Sequence, residues 1–271
     1  MRTPLATCVL TATLLAGLPA AAAAQYDVPG VSNAAIGETY WVEVMGGFWS
    51  PTPDGSIQSE QFGIVGSEID FVDDLAFEKK RFTDFRAVLR PGRKHKLRVQ
   101  YVPIVYNAET VLSRTITFNG VNYAVGLPVN SNLEWKVWRF GYEWDFVSRD
   151  QFFVGVILEA KYTQVLAELQ SVVNDEFTKA RGPIPSIGGI ARVYPIPNAS
   201  VTFELSGIKI PRIDDKYEAK YIDWDLYGTF NVTNNFGVTG GYRVMDVMFI
   251  ADRDGGQMNL KGMYFGGIVR F

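Results

Sequence analysis

The sequence predicts an all-β fold: one antiparallel transmembrane β-barrel of about ten strands, with eight as the alternative. Three observations carry this. Apolar residues alternate with period two from Glu38 to the end of the chain. After residue 24 no apolar run approaches the roughly 18 residues of a membrane helix. Aromatic residues make up 14% of the chain, as expected when one face of each strand meets lipid and the other a polar interior.

The strands follow in order. Tyr40, Val42, Val44, Gly46 and Phe48 oppose Trp41, Glu43, Met45, Gly47 and Trp49. The second strand, about Arg81 to Arg90, sets Phe85, Ala87 and Leu89 against Asp84, Arg86 and Arg90. The third alternates Leu97, Val99, Tyr101, Pro103 and Val105 with Lys96, Arg98, Gln100 and Tyr106. The fourth points Trp138, Phe140, Tyr142, Trp144 and Phe146 outward, and Arg139, Gly141, Glu143 and Asp145 inward. The fifth pairs outward Phe152 to Tyr162 with inward Gly155, Glu159, Lys161 and Thr163. The sixth, about Ser186 to Tyr194 with Arg192 inward, has the weakest pattern. The seventh sets Val201, Phe203 and Leu205 against Thr202, Glu204 and Ser206. The eighth sets Ile222, Trp224, Leu226 and Phe230 against Tyr221, Asp223, Asp225 and Tyr227. The ninth opposes Phe236 to Val244 with Thr239, Gly241 and Arg243. The last sets Met263, Phe265, Gly267, Val269 and Phe271 against Tyr264, Gly266, Ile268 and Arg270.

Connections alternate in length, as they do in membrane barrels. Short turns fall at Arg90–Lys94, Val147–Asp150, Tyr194–Ala199 and Thr233–Asn235. Longer ones fall at Ser50–Glu78, Asn107–Asn132, Gln170–Pro185, Pro211–Lys216 and Ala251–Gly256. Within the second long connection, Arg114 to Tyr123 reads as a hairpin, because Asn119-Gly120 suits a turn with two positive φ angles. Gly66 to Leu75 in the first is too irregular to assign.

Ahead of the barrel, Arg2, the apolar stretch Leu5 to Leu18 and the small-residue run Ala20 to Ala24 read as a cleavable secretory signal. The predicted organisation is therefore a signal at 1–24, cleaved near Ala24, an N-terminal segment at 25–38 and a barrel at 39–271. Removing the signal, which holds Arg2 and no acid, moves the formal charge from −3 to −4. This mild acidity excludes a nucleic-acid partner on charge grounds. The sole cysteine, Cys8, lies in the signal, so the mature chain is expected to have no disulfide and no cysteine-based metal site.

The C-terminal residues Met263, Phe265, Val269 and Phe271, apolar at every second position and ending in phenylalanine, resemble the insertion signature of bacterial outer-membrane β-barrels. Within that class the chain resembles the small monomeric OmpA/OmpW-like barrels. The resemblance implies a Gram-negative outer membrane, contact with its lipid and lipopolysaccharide, recognition by the barrel-assembly machinery, and a monomer. It places the short turns and residues 25–38 in the periplasm.

Catalytic barrels need a base near a nucleophile. The one histidine, His95, falls in a short turn among basic residues, opposite the end where the known protease and lipid A barrels act. No metal or cofactor motif stands out, and no catalytic residue is assigned. Glu68, Asp70, Asp73 and Asp74 read as a solvated acidic loop, because their spacing matches no calcium loop. Tyr40, Phe48, Trp144, Trp224 and Phe271 read as interfacial girdle residues.

The predicted lumen residues are Glu43, Arg86, Arg98, Arg139, Glu143, Asp145, Glu159, Lys161, Arg192, Asp223, Asp225 and Arg243. Their mixed signs suit mutual pairing better than a selective path, though either is compatible with the pattern. The reading is a non-enzymatic outer-membrane barrel, either a narrow passive channel or a structural and surface-interaction protein. An outer-membrane enzyme and a soluble periplasmic ligand-binding barrel are the alternatives.

Overall fold

The computed structural model describes residues 35–59, 64–172, 175–213, 217–251 and 254–271. The signal, and residues 25–34 of the predicted N-terminal segment, lie outside them. Fourteen strands follow in chain order: β1 (Val42–Thr52), β2 (Gly55–Gln58), β3 (Ile69–Asp70), β4 (Phe82–Gly92), β5 (His95–Val111), β6 (Ile116–Phe118), β7 (Val121–Tyr123), β8 (Pro128–Ser148), β9 (Phe152–Ser171), β10 (Asp175–Ile196), β11 (Ala199–Ile213), β12 (Tyr217–Asn231), β13 (Phe236–Ala251) and β14 (Asp254–Arg270).

Ten of these form the barrel, in the order β1-β4-β5-β8-β9-β10-β11-β12-β13-β14, and β14 returns to pair with β1. The eight-strand alternative is excluded. The closing ladder is antiparallel, from Glu43↔Arg270 to Thr52↔Lys261. Phe271 finishes it: its amide donates to the Val42 carbonyl at 2.9 Å, and its own carbonyl accepts from Trp41. Closure satisfies backbone groups that lipid could not.

The outward face is a belt of exposed apolar side chains, among them Phe48, Phe140, Leu158, Phe203, Leu226, Phe265 and Phe271. On β9 the outward apolar series runs from Phe152 to Tyr162 before Gln164, close to the roughly 9–11 residues a tilted strand needs to cross a bilayer. Trp138 stacks on Tyr101 at 4.3 Å, and Trp224 lies 6.0 Å from Tyr242, along the upper rim of the belt.

Among the described residues, the second and third long connections are mostly strand, not loop. β9 continues to Ser171 and β10 begins at Asp175, so nearly all of the predicted Gln170–Pro185 connection is ladder. β5 and β8 stay paired from His95↔Trp144 to Val111↔Pro128. Loop composition misled here, because above the belt both strand faces meet water or the lid and period two fades. The sixth predicted strand, weakest in pattern, is β10, 22 residues long.

The first long connection forms a lid. β2 pairs with β14 and β3 with β2. The Asn119-Gly120 hairpin forms as read, with φ of 50° and 79° joining β6 to β7. Of the four acids read as a solvated loop, Glu68 and Asp73 are exposed, but Asp70 and Asp74 are tied into the lid. Asp70 accepts from the amides of Val72 and Asp73 at 2.8 Å, and buried Asp74 accepts two bonds from Arg114, at 2.8 and 2.6 Å. A specific cation partner, invisible in local sequence, pulls Asp74 inside. The Arg114 hydrogen bond holds the Asp74 carboxyl below the usual carboxylate range, outweighing desolvation.

Candidate functional site: the barrel interior

The interior has two halves of opposite character. Near the short turns it is ionic. Nine basic side chains (Arg86, Arg90, Lys96, Arg98, Arg139, Lys161, Arg192, Arg243 and Arg270) meet nine acidic ones (Glu38, Glu43, Asp84, Glu143, Asp145, Glu159, Glu204, Asp223 and Asp225). Their pairing decides whether this half is open. Some pairs bind neighbouring strands: Lys96–Glu143 at 2.6 Å, Arg139–Glu159 at 2.7 Å and Arg243–Asp223 at 2.7 Å. Others cross the lumen. Arg98 on β5 donates to both oxygens of Glu204 on β11, at 2.8 and 2.7 Å. Arg86 on β4 reaches Asp225 on β12 at 3.0 Å, and Arg139 on β8 reaches Asp223 on β12 at 3.2 Å. The space left among Arg86, Arg98, Arg192 and Tyr227 is about 50 Å³, room for a water or two at roughly 30 Å³ each.

All twelve predicted lumen residues point into this half. Asp84, Arg90, Lys96, Glu204 and Arg270 share their inward parity and, with Glu38, complete the network, so the alternation alone could have added these five. Glu38 has no such signal, because it precedes β1. It lies in a strap, residues 35–40, across the short-turn end of the barrel. Ile36 donates to the Pro197 carbonyl at 2.7 Å, Gly37 to Asn234 at 3.2 Å, and Asn231 to the Ile36 carbonyl at 2.6 Å. A side chain at Gly37, whose φ is +85°, would meet Arg270 and Asn231 within 3 Å.

Glu38 grips Arg192 at 2.9 Å and Arg90 at 3.0 Å, and accepts the Tyr194 hydroxyl. Burial pushes its carboxyl up, but the charges of Arg192, Lys96 and Arg90 and the tyrosine bond more than offset this and hold it near 2. The strap also corrects Tyr40. It is not a girdle residue but is buried, with Arg90 and Arg270 over its ring at 5.2 and 5.7 Å. The strand period starts only at Val42, so parity read back to Tyr40 assigns the wrong face.

The other half of the interior is apolar, against expectation. Trp49, Ile104, Tyr106, Leu133, Trp135, Val137 and Leu260 are buried there with Ile57, Ile69, Phe71 and Phe77 of the lid. Beside them is a cavity of about 330 Å³, lined by Trp135, Val165, Ile184, Ile208, Val247 and Met258 among others. Trp135 Nε1 donates to Thr163 at 2.6 Å, so little polar surface faces the cavity.

Catalytic geometry is sparse. His95 sits on the outside at the start of β5, with Nδ1 2.6 Å from the Tyr142 hydroxyl. Lys161 donates to Ser206 at 2.8 Å, a nucleophile-and-base pairing in kind. Both are buried, with Glu159 at 3.4 Å from the amine.

A closed antiparallel barrel with an apolar belt and an ion-paired interior defines a membrane-spanning β-barrel of the bacterial outer-membrane type. Likeness to one solved structure supports the fold, and weaker likenesses accompany it. The outer membrane protease OmpT of Escherichia coli superposes with a TM-score of 0.54 at 9% identity, over 90% of this chain and 99% of that one. OprG of Pseudomonas aeruginosa gives 0.40 at 9% identity, over 89% and 99%. Neisserial surface protein A gives 0.34 at 14% identity, over 85% and 97%. No protein-family model matches the sequence, and no curated protein matches it significantly.

Proposed function

We propose that this chain is a non-enzymatic, monomeric barrel of a Gram-negative outer membrane, and that it is a closed scaffold presenting a structured lid at the cell surface, not a solute channel. In this orientation the short turns and the strap face the periplasm, and β2, β3, β6 and β7 face outside. The observation that carries the reading is the set of ion pairs spanning the lumen from β4, β5 and β8 to β11 and β12. A selective path would leave charges of one sign facing water. Here both signs are consumed by each other.

The tested alternative is the narrow channel. Purified protein in planar bilayers is expected to be silent across voltage and salt. Stable unitary conductance that scales with salt would overturn the closed reading. Lys209, exposed just above the belt, suits the anionic headgroups of lipopolysaccharide, whereas Lys136, Lys220 and Lys261 pair with Glu134, Asp246 and Asp54. The Phe271 strand is the proposed contact for the barrel-assembly machinery. An enzymatic role is the weaker reading: the Lys161–Ser206 pair is buried, and likeness to a protease at 9% identity speaks to fold alone.

A further inference from the structure

Above the lipid belt the outward face of the wall changes character on three adjacent strands. Two rungs of the ladder carry only polar side chains there. Glu109 of β5 pairs with Asn130 of β8, and Asn130 with Gln170 of β9. One rung nearer the belt, Asn107 pairs with Asn132, and Asn132 with Glu168. All six share the outward parity of Tyr101, Trp138 and Tyr162 in the belt below. Strands lie about 4.8 Å apart and alternate residues about 6.7 Å apart, so the six form a patch of roughly 10 by 7 Å.

The patch is concave. Asn107, Glu109, Asn130, Asn132 and Gln170 line a groove of about 380 Å³, within the roughly 300–1,000 Å³ of small-molecule sites. Asn132 donates to Glu168 at 2.8 Å and fixes that carboxylate. Asn107, Glu109, Asn130 and Gln170 are exposed, and among the described residues their side chains have no hydrogen-bond partner. The ends of the patch along the strands are apolar. Val111 and Val172 stand exposed at one end, and half-buried Val105 and Leu166 lie at the other.

These groups select a ligand by its hydrogen bonds. Each amide offers donors beside an acceptor, and each carboxylate accepts at both oxygens. Adjacent hydroxyls on a sugar ring each donate and accept, so they complement both. None of the six side chains is cationic. Lys136 of β8 lies nearer the belt and pairs with Glu134 at 2.9 Å, and Lys179 of β10 faces Leu166, outside the patch. A phosphate or sulfate would find no counter-charge among them. An amine would satisfy the carboxylates and leave the amide donors without acceptors. The apolar ends suit the C–H faces of a sugar ring.

We propose that this patch is a saccharide site, which holds a neutral sugar residue by its adjacent hydroxyls. That chemistry has two sources: a soluble or foreign glycan, and the sugars of the membrane's own lipopolysaccharide. That the patch faces outside the cell rests on the orientation proposed above; the binding itself does not.

The test uses the full barrel in phosphatidylcholine nanodiscs, with saturation-transfer NMR of the methyl glycosides of glucose, galactose and mannose. Nanodiscs expose both faces, so an inverted barrel would still bind. At least one glycoside is expected to bind saturably. Asn130→Ala, at the centre of the patch, is expected to weaken binding about tenfold, the worth of a lost hydrogen-bonded pair, while keeping heat-modifiable gel mobility. Gln170→Ala is the second variant, should the first not fold. Lack of saturable binding by every glycoside would overturn the saccharide. Folded variants that bind as wild type would overturn the patch as its place. Spermidine bound at the patch more tightly than every glycoside would overturn the neutral ligand in favour of an amine. Glucose 6-phosphate bound as tightly as methyl glucoside would overturn the discrimination against anions. Lipopolysaccharide with a complete core that blocks the glycoside, where a core-truncated form does not, would assign the site to the membrane's own sugars. Glycoside binding that survives the complete core would assign it to soluble or foreign glycans.

Discussion

Glu38 is one carboxylate whose removal should loosen a whole end of the barrel. It is the only acid in the strap at residues 35–40, and it joins that strap to Arg90 of β4 and Arg192 of β10. Its carboxyl, held near 2, lies well below its ordinary value of 4.5. Because the folded value is the lower one, the stabilisation is fully present above about pH 4.5 and is lost as pH falls towards 2. At about 1.4 kcal/mol per pH unit, the difference corresponds to about 3 kcal/mol, an order-of-magnitude figure. The side chain is 19% exposed, so screening takes little from it. Glu38→Gln keeps the shape and removes the charge. Reversible urea unfolding in lipid vesicles, followed by tryptophan fluorescence from pH 7 to 2.5, reads the effect. Wild type should lose stability between pH 4.5 and 2.5 beyond what the variant loses, and the variant should start about 3 kcal/mol lower at pH 7. Parallel pH profiles for the two proteins would refute the assignment of this linkage to Glu38.

Other perturbations follow from the same contacts. Arg243→Met strips Asp223 of a bidentate partner at 3.0 and 2.7 Å and should cost about 3–5 kcal/mol in the same unfolding assay. Adding Asp223→Leu should recover at least half of that loss, since Arg139 keeps Glu159 at 2.7 Å. Arg114→Ala should free the lid without weakening the barrel. Amide exchange over Phe71–Phe77 should rise at least tenfold while barrel stability changes by less than about 1 kcal/mol, because the arginine is half exposed.

Membrane barrels are legible in sequence to the extent that one physical rule applies along the strand. Where lipid lies outside and ion pairs inside, apolar and polar residues must alternate. All ten barrel strands, their facing and the twelve inward charges can be read from that. The hairpin at Asn119-Gly120 was legible for a local reason, since few residue pairs accept two positive φ angles. The acidic lid segment was not legible, because Asp74 is buried by Arg114, 40 residues away. Tyr40 and Glu38 were missed because a strap obeys no period.

By itself, then, the sequence determined the class of fold, the closing role of Phe271 and which charges face inward, because burial in lipid forces a repeating pattern, while the choice of ten strands over eight came from the structure. The tertiary structure alone decided which charge meets which across the lumen, that the outer half of the interior is apolar, and that Glu109, Asn130 and Gln170 share one rung above the belt. Those outcomes depend on strands brought opposite each other by barrel closure, and residues far apart in sequence carry no periodic mark of meeting.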